Sequence, residues 1–154
     1  ISGLKTIFED FTLKFIEETG YDCDEVLVTD AWMNCGKKNA HQNAHLHANS
    51  YISGTYYINF DPKQHALLNL FNDRLINGTE RKPFLMIPPN PSKTTPYNVK
   101  NIQVNCKEGD VLLWKSHILH GWNNNLANKR ITMSFNTMPK RCSDGNMYSF
   151  QVTR

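Results

Sequence analysis

No apolar run in these 154 residues approaches the roughly 20 that a membrane-crossing helix needs. No stretch joins a basic end, an apolar middle and a small-residue cleavage site, as a secretory leader would. The expected location is the cytoplasm. Cysteine is sparse: Cys23, Cys35, Cys106 and Cys142 stand far apart, and none forms a C-x-x-C pair. That spacing excludes a zinc knuckle and a dithiol redox motif. Reduced thiols are the expectation, with disulfides the alternative in a secreted protein. Charge of one sign is also lacking. The net charge is +3, and lysine and arginine fall in scattered pairs (Lys37–Lys38, Arg81–Lys82, Lys140–Arg141). Solvated surface charge explains them, whereas nucleic acid calls for a denser stripe. There is no internal repeat, low-complexity tract or second domain. With 40% hydrophobic residues, residues 1–154 read as a single domain with one core. Oligomeric state is not legible.

The elements follow from periodicity. Leu4, Ile7, Phe8, Phe11 and Phe15 recur at helical spacing, which predicts an amphipathic helix within residues 1–20, its apolar stripe in the core and Gly20 as its stop. Glu25 to Asn34 reads as a strand and Gly36 to Asn43 as a polar loop. A long strand is predicted from His45 to Phe60, with Gly54 marking a bulge or a close approach by a ligand or another backbone. A short strand is predicted within Ala66–Phe71. Residues 72–101 are polar and rich in proline, a loop long enough to be a lid or a binding loop, the alternative being a disordered excursion. Ile102–Cys106 and Val111–Trp114 read as a hairpin, Ser116–Asn128 as loop, and Arg130–Thr137 as a cleanly alternating core strand. The tail, 138–154, adds a strand near Tyr148–Val152. One leading helix before many short strands suggests an antiparallel barrel or sandwich.

The chemistry lies in the histidines. His45 and His47 are one residue apart on the predicted strand, so both imidazoles should point to one face. Imidazole is the commonest metal ligand, and a site needs ligands from several segments. His120 is the candidate third. His41 and His65 read as structural. The pair alone leaves metal binding and a structural role both open. Arg130 tips the balance: it opens a half-buried strand and calls for a carboxylate or phosphate partner. Thr132 shares its face, and Tyr57 offers a further donor. Ile131, Met133 and Phe135 occupy the opposite face.

W-M-N (Trp32–Asn34), H-L-H-A-N-S-Y-I-S-G-T-Y-Y-I (His45–Ile58), K-E-G-D-V-L-L-W-K-S-H-I-L-H-G-W (Lys107–Trp122) and R-I-T-M-S-F-N (Arg130–Asn136) carry a resemblance. The chain resembles a small family of 2-oxoglutarate- and Fe(II)-dependent oxygenases known mostly from bacteria and their phages. The resemblance implies a mainly β double-stranded β-helix, or jelly roll, with the N-terminal α-helix packed on it, in a bacterial or infected host cell. It implies Fe(II) on His45, His47 and His120, with 2-oxoglutarate and O2 as cosubstrates and succinate and CO2 as products. The superfamily motif has a carboxylate where His47 stands, so either His47 or water is the ligand there. Arg130, Thr132 and Tyr57 would hold the distal carboxylate of 2-oxoglutarate. Asn34, Trp32 and Trp122 would line the pocket, the first two reading equally well as a strand-end amide and a core aromatic. Two alternatives stand beside the oxygenase: a cupin-like three-histidine enzyme without 2-oxoglutarate, and a non-catalytic jelly-roll binding module with Trp122, Tyr97 and Tyr51 on an exposed face. The substrate, whether protein, peptide or small molecule, is not named by the sequence.

Overall fold

The computed structural model describes residues 2–72, 90, 92, 93, 95, 99–143 and 149–151. Helix α1 (Ser2–Glu18) leads. Gly20 ends it with φ of 84°, its N–H and that of Tyr21 returning to the carbonyls of Glu17 and Ile16. The buried stripe is not quite the predicted one. Phe8, Thr12 and Ile16, four residues apart, face inward, whereas Ile7 and Phe11 are about 45% exposed. The Thr12 hydroxyl is accommodated because it donates to the Phe8 carbonyl.

Eight strands form two antiparallel four-stranded sheets. The first contains β1 (Val26–Gly36), β3 (Ile52–Asn59), β6 (Val111–Lys115) and β8 (Arg130–Pro139), in the order β1-β8-β3-β6. The second contains β2 (Gln42–His45), β4 (Asn69–Phe71), β5 (Asn101–Gln103) and β7 (His120–Trp122), in the order β2-β7-β4-β5. Successive strands switch sheets in the manner of a jelly roll, which brings distant segments face to face. A separate pair, β9 (Arg141–Ser143) and β10 (Ser149–Gln151), closes the described tail.

Three sequence expectations are corrected. The long strand from His45 to Phe60 is two strands: β2 ends at His45, a turn carries His47, and β3 begins at Ile52 in the other sheet. The two histidines therefore do not share a strand, although their rings still lie to one side, stacked at 5.2 Å. The predicted hairpin is also absent, because β5 pairs with β4 while β6 pairs with β3. Alternation within a strand cannot reveal a sheet switch between strands, since each strand buries one face either way. Finally, residues 116–128 are not all loop, because they contain β7. The predicted lid at 72–101 lies almost entirely outside the described residues.

Strand β8 is central, with β1 on one side and β3 on the other. Its outer face carries Phe135, fully buried, which stacks on Phe8 at 4.1 Å and 3°. Gly54 in β3 sits opposite Phe135 with no register shift there, so it marks no bulge. A Cβ at Gly54 would lie 2.6 Å from Phe135 Cε1 and 2.8 Å from Leu113 Cδ2. The close approach is thus by core side chains. Gly54→Ala is expected to destabilise the fold by about 1–3 kcal/mol through overpacking, read as a lowered urea midpoint. An unchanged midpoint would mean that the ring does not press on that strand.

Candidate metal centre

The inner face of β8 presents Arg130, Thr132 and Ser134 toward the second sheet. Register sets their neighbours: Thr132 pairs with Asn34 and Tyr57, and Ser134 with Trp32 and Thr55. Across the interior, His45 pairs directly with His120. A Cβ at Gly121 would lie 2.6 Å from the Gln42 carbonyl oxygen, so only glycine permits that strand approach. The turn after β2 is anchored by the His47 N–H donating to the Ser116 carbonyl at 3.0 Å. Folding thereby brings His47 to the other two by a turn rather than by strand alternation.

One ring nitrogen from each of His45, His47 and His120 lies within 4.8 Å of the others. Each Nδ1 is engaged with an oxygen: His45 with the Asn43 carbonyl at 2.8 Å, His120 with the Ile118 carbonyl at 2.9 Å, and His47 with Asn136 Oδ1 at 2.7 Å. Main-chain carbonyls only accept, so in His45 and His120 Nδ1 is the protonated nitrogen and Nε2 keeps its lone pair. Burial, the largest cause, lowers the pKa of His120 to about 4, and burial likewise lowers that of His47. Both rings are therefore neutral and able to ligate at neutral pH. Among the described residues no carboxylate joins them. Asp61 is committed to Lys63 N–H and Gln64, and Asp110 to Lys107 N–H.

Arg130 lies in the same interior and is 2% exposed. Its Nε donates to the Ala66 carbonyl at 3.0 Å, and its guanidinium lies 4.3 Å over Trp122. No described carboxylate pairs with it, and burial lowers its pKa. A buried cation in this position is strongly favoured by an anionic ligand.

The cavity wall includes Trp32, Asn34, His45, His47, His120, Trp122, Arg130 and Thr132. Tyr57 is not part of it. That ring is fully buried 5.9 Å from the guanidinium, with its hydroxyl beside Cys106. Trp122 is 9% exposed and belongs to the interior, which overturns its place on an outer binding face. His65 is a satisfied structural residue between Asp61 N–H and the Asn128 carbonyl, while His41 and His117 are exposed. Gln42, Trp114, Thr55 and Leu68 line the wall without having been singled out. Gln42 stands 3.4 Å from His45 Nε2, and Trp114 Nε1 is buried without a partner. Their only sequence signal was position in strands whose pairing was unknown. The side chains leave a free volume of about 20 Å³, room for about one water.

Three imidazole lone pairs beside an unpaired guanidinium suit a divalent metal and a dianionic chelator. The family comparison agrees. Residues 30–136 match the family described as "Putative 2OG-Fe(II) oxygenase", and the chain belongs to that family. Membership implies Fe(II) as metal and 2-oxoglutarate as cosubstrate. Solved structures support the fold. A 2OG-Fe(II) oxygenase family oxidoreductase from Burkholderia pseudomallei is 13% identical, with a TM-score of 0.54 over 81% of this chain and 50% of its own. AviO1 from Streptomyces viridochromogenes is 14% identical, with a TM-score of 0.56 over 84% of this chain and 56% of its own. This chain therefore spans about half the length of these structures. No functionally curated protein matches it. Among the described residues no helix is long and apolar enough to cross a membrane.

The His120 shift sets a pH dependence for the metal-free protein. The folded ring resists protonation down to about pH 4, while an unfolded histidine protonates near 6.5. Its contribution is therefore present above about pH 6.5 and is lost as pH falls toward 4. Urea unfolding at pH 7.5 and 4.5 should show about 3 kcal/mol of loss from this group, and His120→Asn should remove that part of the slope. Equal slopes would mean that the imidazole is not held neutral.

Proposed function

We propose that this chain is a 2-oxoglutarate- and Fe(II)-dependent dioxygenase that hydroxylates a protein, peptide or small molecule, releasing succinate and CO2. The observation that carries the reading is Arg130, a buried guanidinium without a described carboxylate, in one cavity with three convergent imidazoles. His45, His47 and His120 hold the metal, His47 replacing the usual carboxylate. Bound Fe(II) supplies oxygen activation, coupling decarboxylation of 2-oxoglutarate to hydroxylation of a C–H bond.

The protein's part is binding, orientation and exclusion of water. Arg130 and Thr132 take the distal carboxylate, with Tyr57 behind the guanidinium as a further donor. Asn34 is held by its amide donating to the Ser134 hydroxyl at 3.0 Å and borders the cosubstrate space. Trp32 stacks on His47 at 5.8 Å and, with Trp122, shapes the substrate side. Neutral ligands leave the metal its full charge, so a dianion is favoured electrostatically. We place the protein in the cytoplasm; Cys23, Cys35 and Cys106 are free thiols, which suits a reducing compartment.

The test is anaerobic titration of Fe(II)-loaded protein with 2-oxoglutarate, following the visible charge-transfer band of the chelate. Wild type should give a saturable band, and Arg130→Ala should weaken 2-oxoglutarate binding at least about 30-fold, the loss of a buried charge-assisted contact. Bound iron with no band would sink this reading in favour of a cupin-like enzyme. Failure to bind iron would leave a non-catalytic binding module.

A further inference from the structure

Two of the three imidazoles are oriented by main chain. His45 and His120 each engage a carbonyl two residues earlier, an acceptor that cannot change its role. His47 alone depends on a side chain, the Asn136 amide. An amide can present either its oxygen or its NH2, and the two choices select opposite tautomers of the ring. With the oxygen facing His47, Nδ1 carries the hydrogen and Nε2 is free for a metal. With the NH2 facing it, Nε2 carries the hydrogen and His47 is lost as a ligand.

What holds the amide is a row of buried hydroxyls. Asn136 Oδ1 also accepts from Ser53 Oγ at 2.9 Å. Ser53 Oγ lies 2.8 Å from Ser116 Oγ, where either can donate, and Ser116 Oγ donates to Ser50 Oγ at 2.8 Å. Ser50 Oγ receives the Thr137 N–H at 3.3 Å and donates to the Ile52 carbonyl at 3.0 Å, with the Thr137 carbonyl at 3.2 Å. Ser53, Ser116 and Asn136 are each at most 4% exposed, so water cannot readily replace a missing partner. Each hydroxyl has one hydrogen. That of Ser53 goes to the Asn136 oxygen, while those of Ser116 and Ser50 run away from it toward the Ile52 carbonyl. The Ser53 hydrogen keeps the oxygen of Asn136, rather than its NH2, on the side shared with His47.

We propose that Asn136, held by the Ser53–Ser116–Ser50 row, is the positioning residue that makes His47 a metal ligand by fixing its Nδ1–H tautomer. Ser53 donating to the Asn136 oxygen is the metal-competent arrangement. The amide does this without adding charge, so the ligand set stays neutral. The inference rests on the metal reading above, but its first readout does not.

Long-range proton–nitrogen correlation spectra of 15N-labelled, metal-free protein at pH 8 report the tautomer of each histidine. Titration with Co(II), followed by its visible ligand-field bands, reports affinity. Wild-type His47 should be the Nδ1–H tautomer. Asn136→Leu should shift it toward Nε2–H and weaken cobalt about 10–100-fold, the usual effect of removing a partner behind a ligand. Asn136→Asp, which can only accept, should keep both. Ser53→Ala, a small change in case the leucine variant misfolds, should move both readouts in the leucine direction. A wild-type Nε2–H ring, or a folded Asn136→Leu with tautomer and affinity unchanged, would overturn the proposal. Wild type that takes up no cobalt would instead sink the metal reading, while the tautomer still decides the row.

Discussion

The register of β8 between β1 and β3 is the constraint on which the site depends. Every second side chain of that strand from Arg130 to Asn136 turns inward, while Phe135 turns outward onto the helix. A slip of one residue would expose Arg130, Thr132, Ser134 and Asn136 to the helix and drive Phe135 into the cavity. The Phe8–Phe135 stack, seated over Gly54, resists that slip because the space for the ring exists in one register only. The chemistry of the inner face is thus held in place by apolar packing on the outer one.

The interior this creates is polar and buried, and its balance is unusual. Arg130 brings a positive charge, while burial keeps His120 and His47 neutral against the opposite pull of their Nδ1 acceptors. No described carboxylate offsets the cation. A buried cation beside neutral imidazoles favours an anionic ligand that also reaches them. Gln42 stands beside the metal-facing nitrogen of His45.

The 2-oxoglutarate family, the mainly β jelly roll and the leading helix were all legible in the residues. Local patterns carry them: helical spacing before Gly20, alternation in Arg130–Thr137, and the H-x-H, His120 and Arg130 series. Alternation continued to Asn136 would also have found the partner of His47. What could not be read was which strands share a sheet. The H-x-H pair looked like one strand face, yet β2 ends at His45 and a turn delivers His47. Ile102–Trp114 looked like a hairpin, yet its two strands lie in different sheets.

The sequence by itself determined the chemical inventory: imidazoles, a guanidinium and hydroxyls at intervals that strands convert into shared faces. It determined the elements too, because helical and strand periodicities are local. The tertiary structure alone decided that the histidines converge, that Arg130 lacks a described carboxylate, that Tyr57 stands behind the wall and that Trp122 and Trp114 form part of it. Those outcomes depend on pairings across tens of residues, whose free energy comes from packing and burial rather than from any local preference.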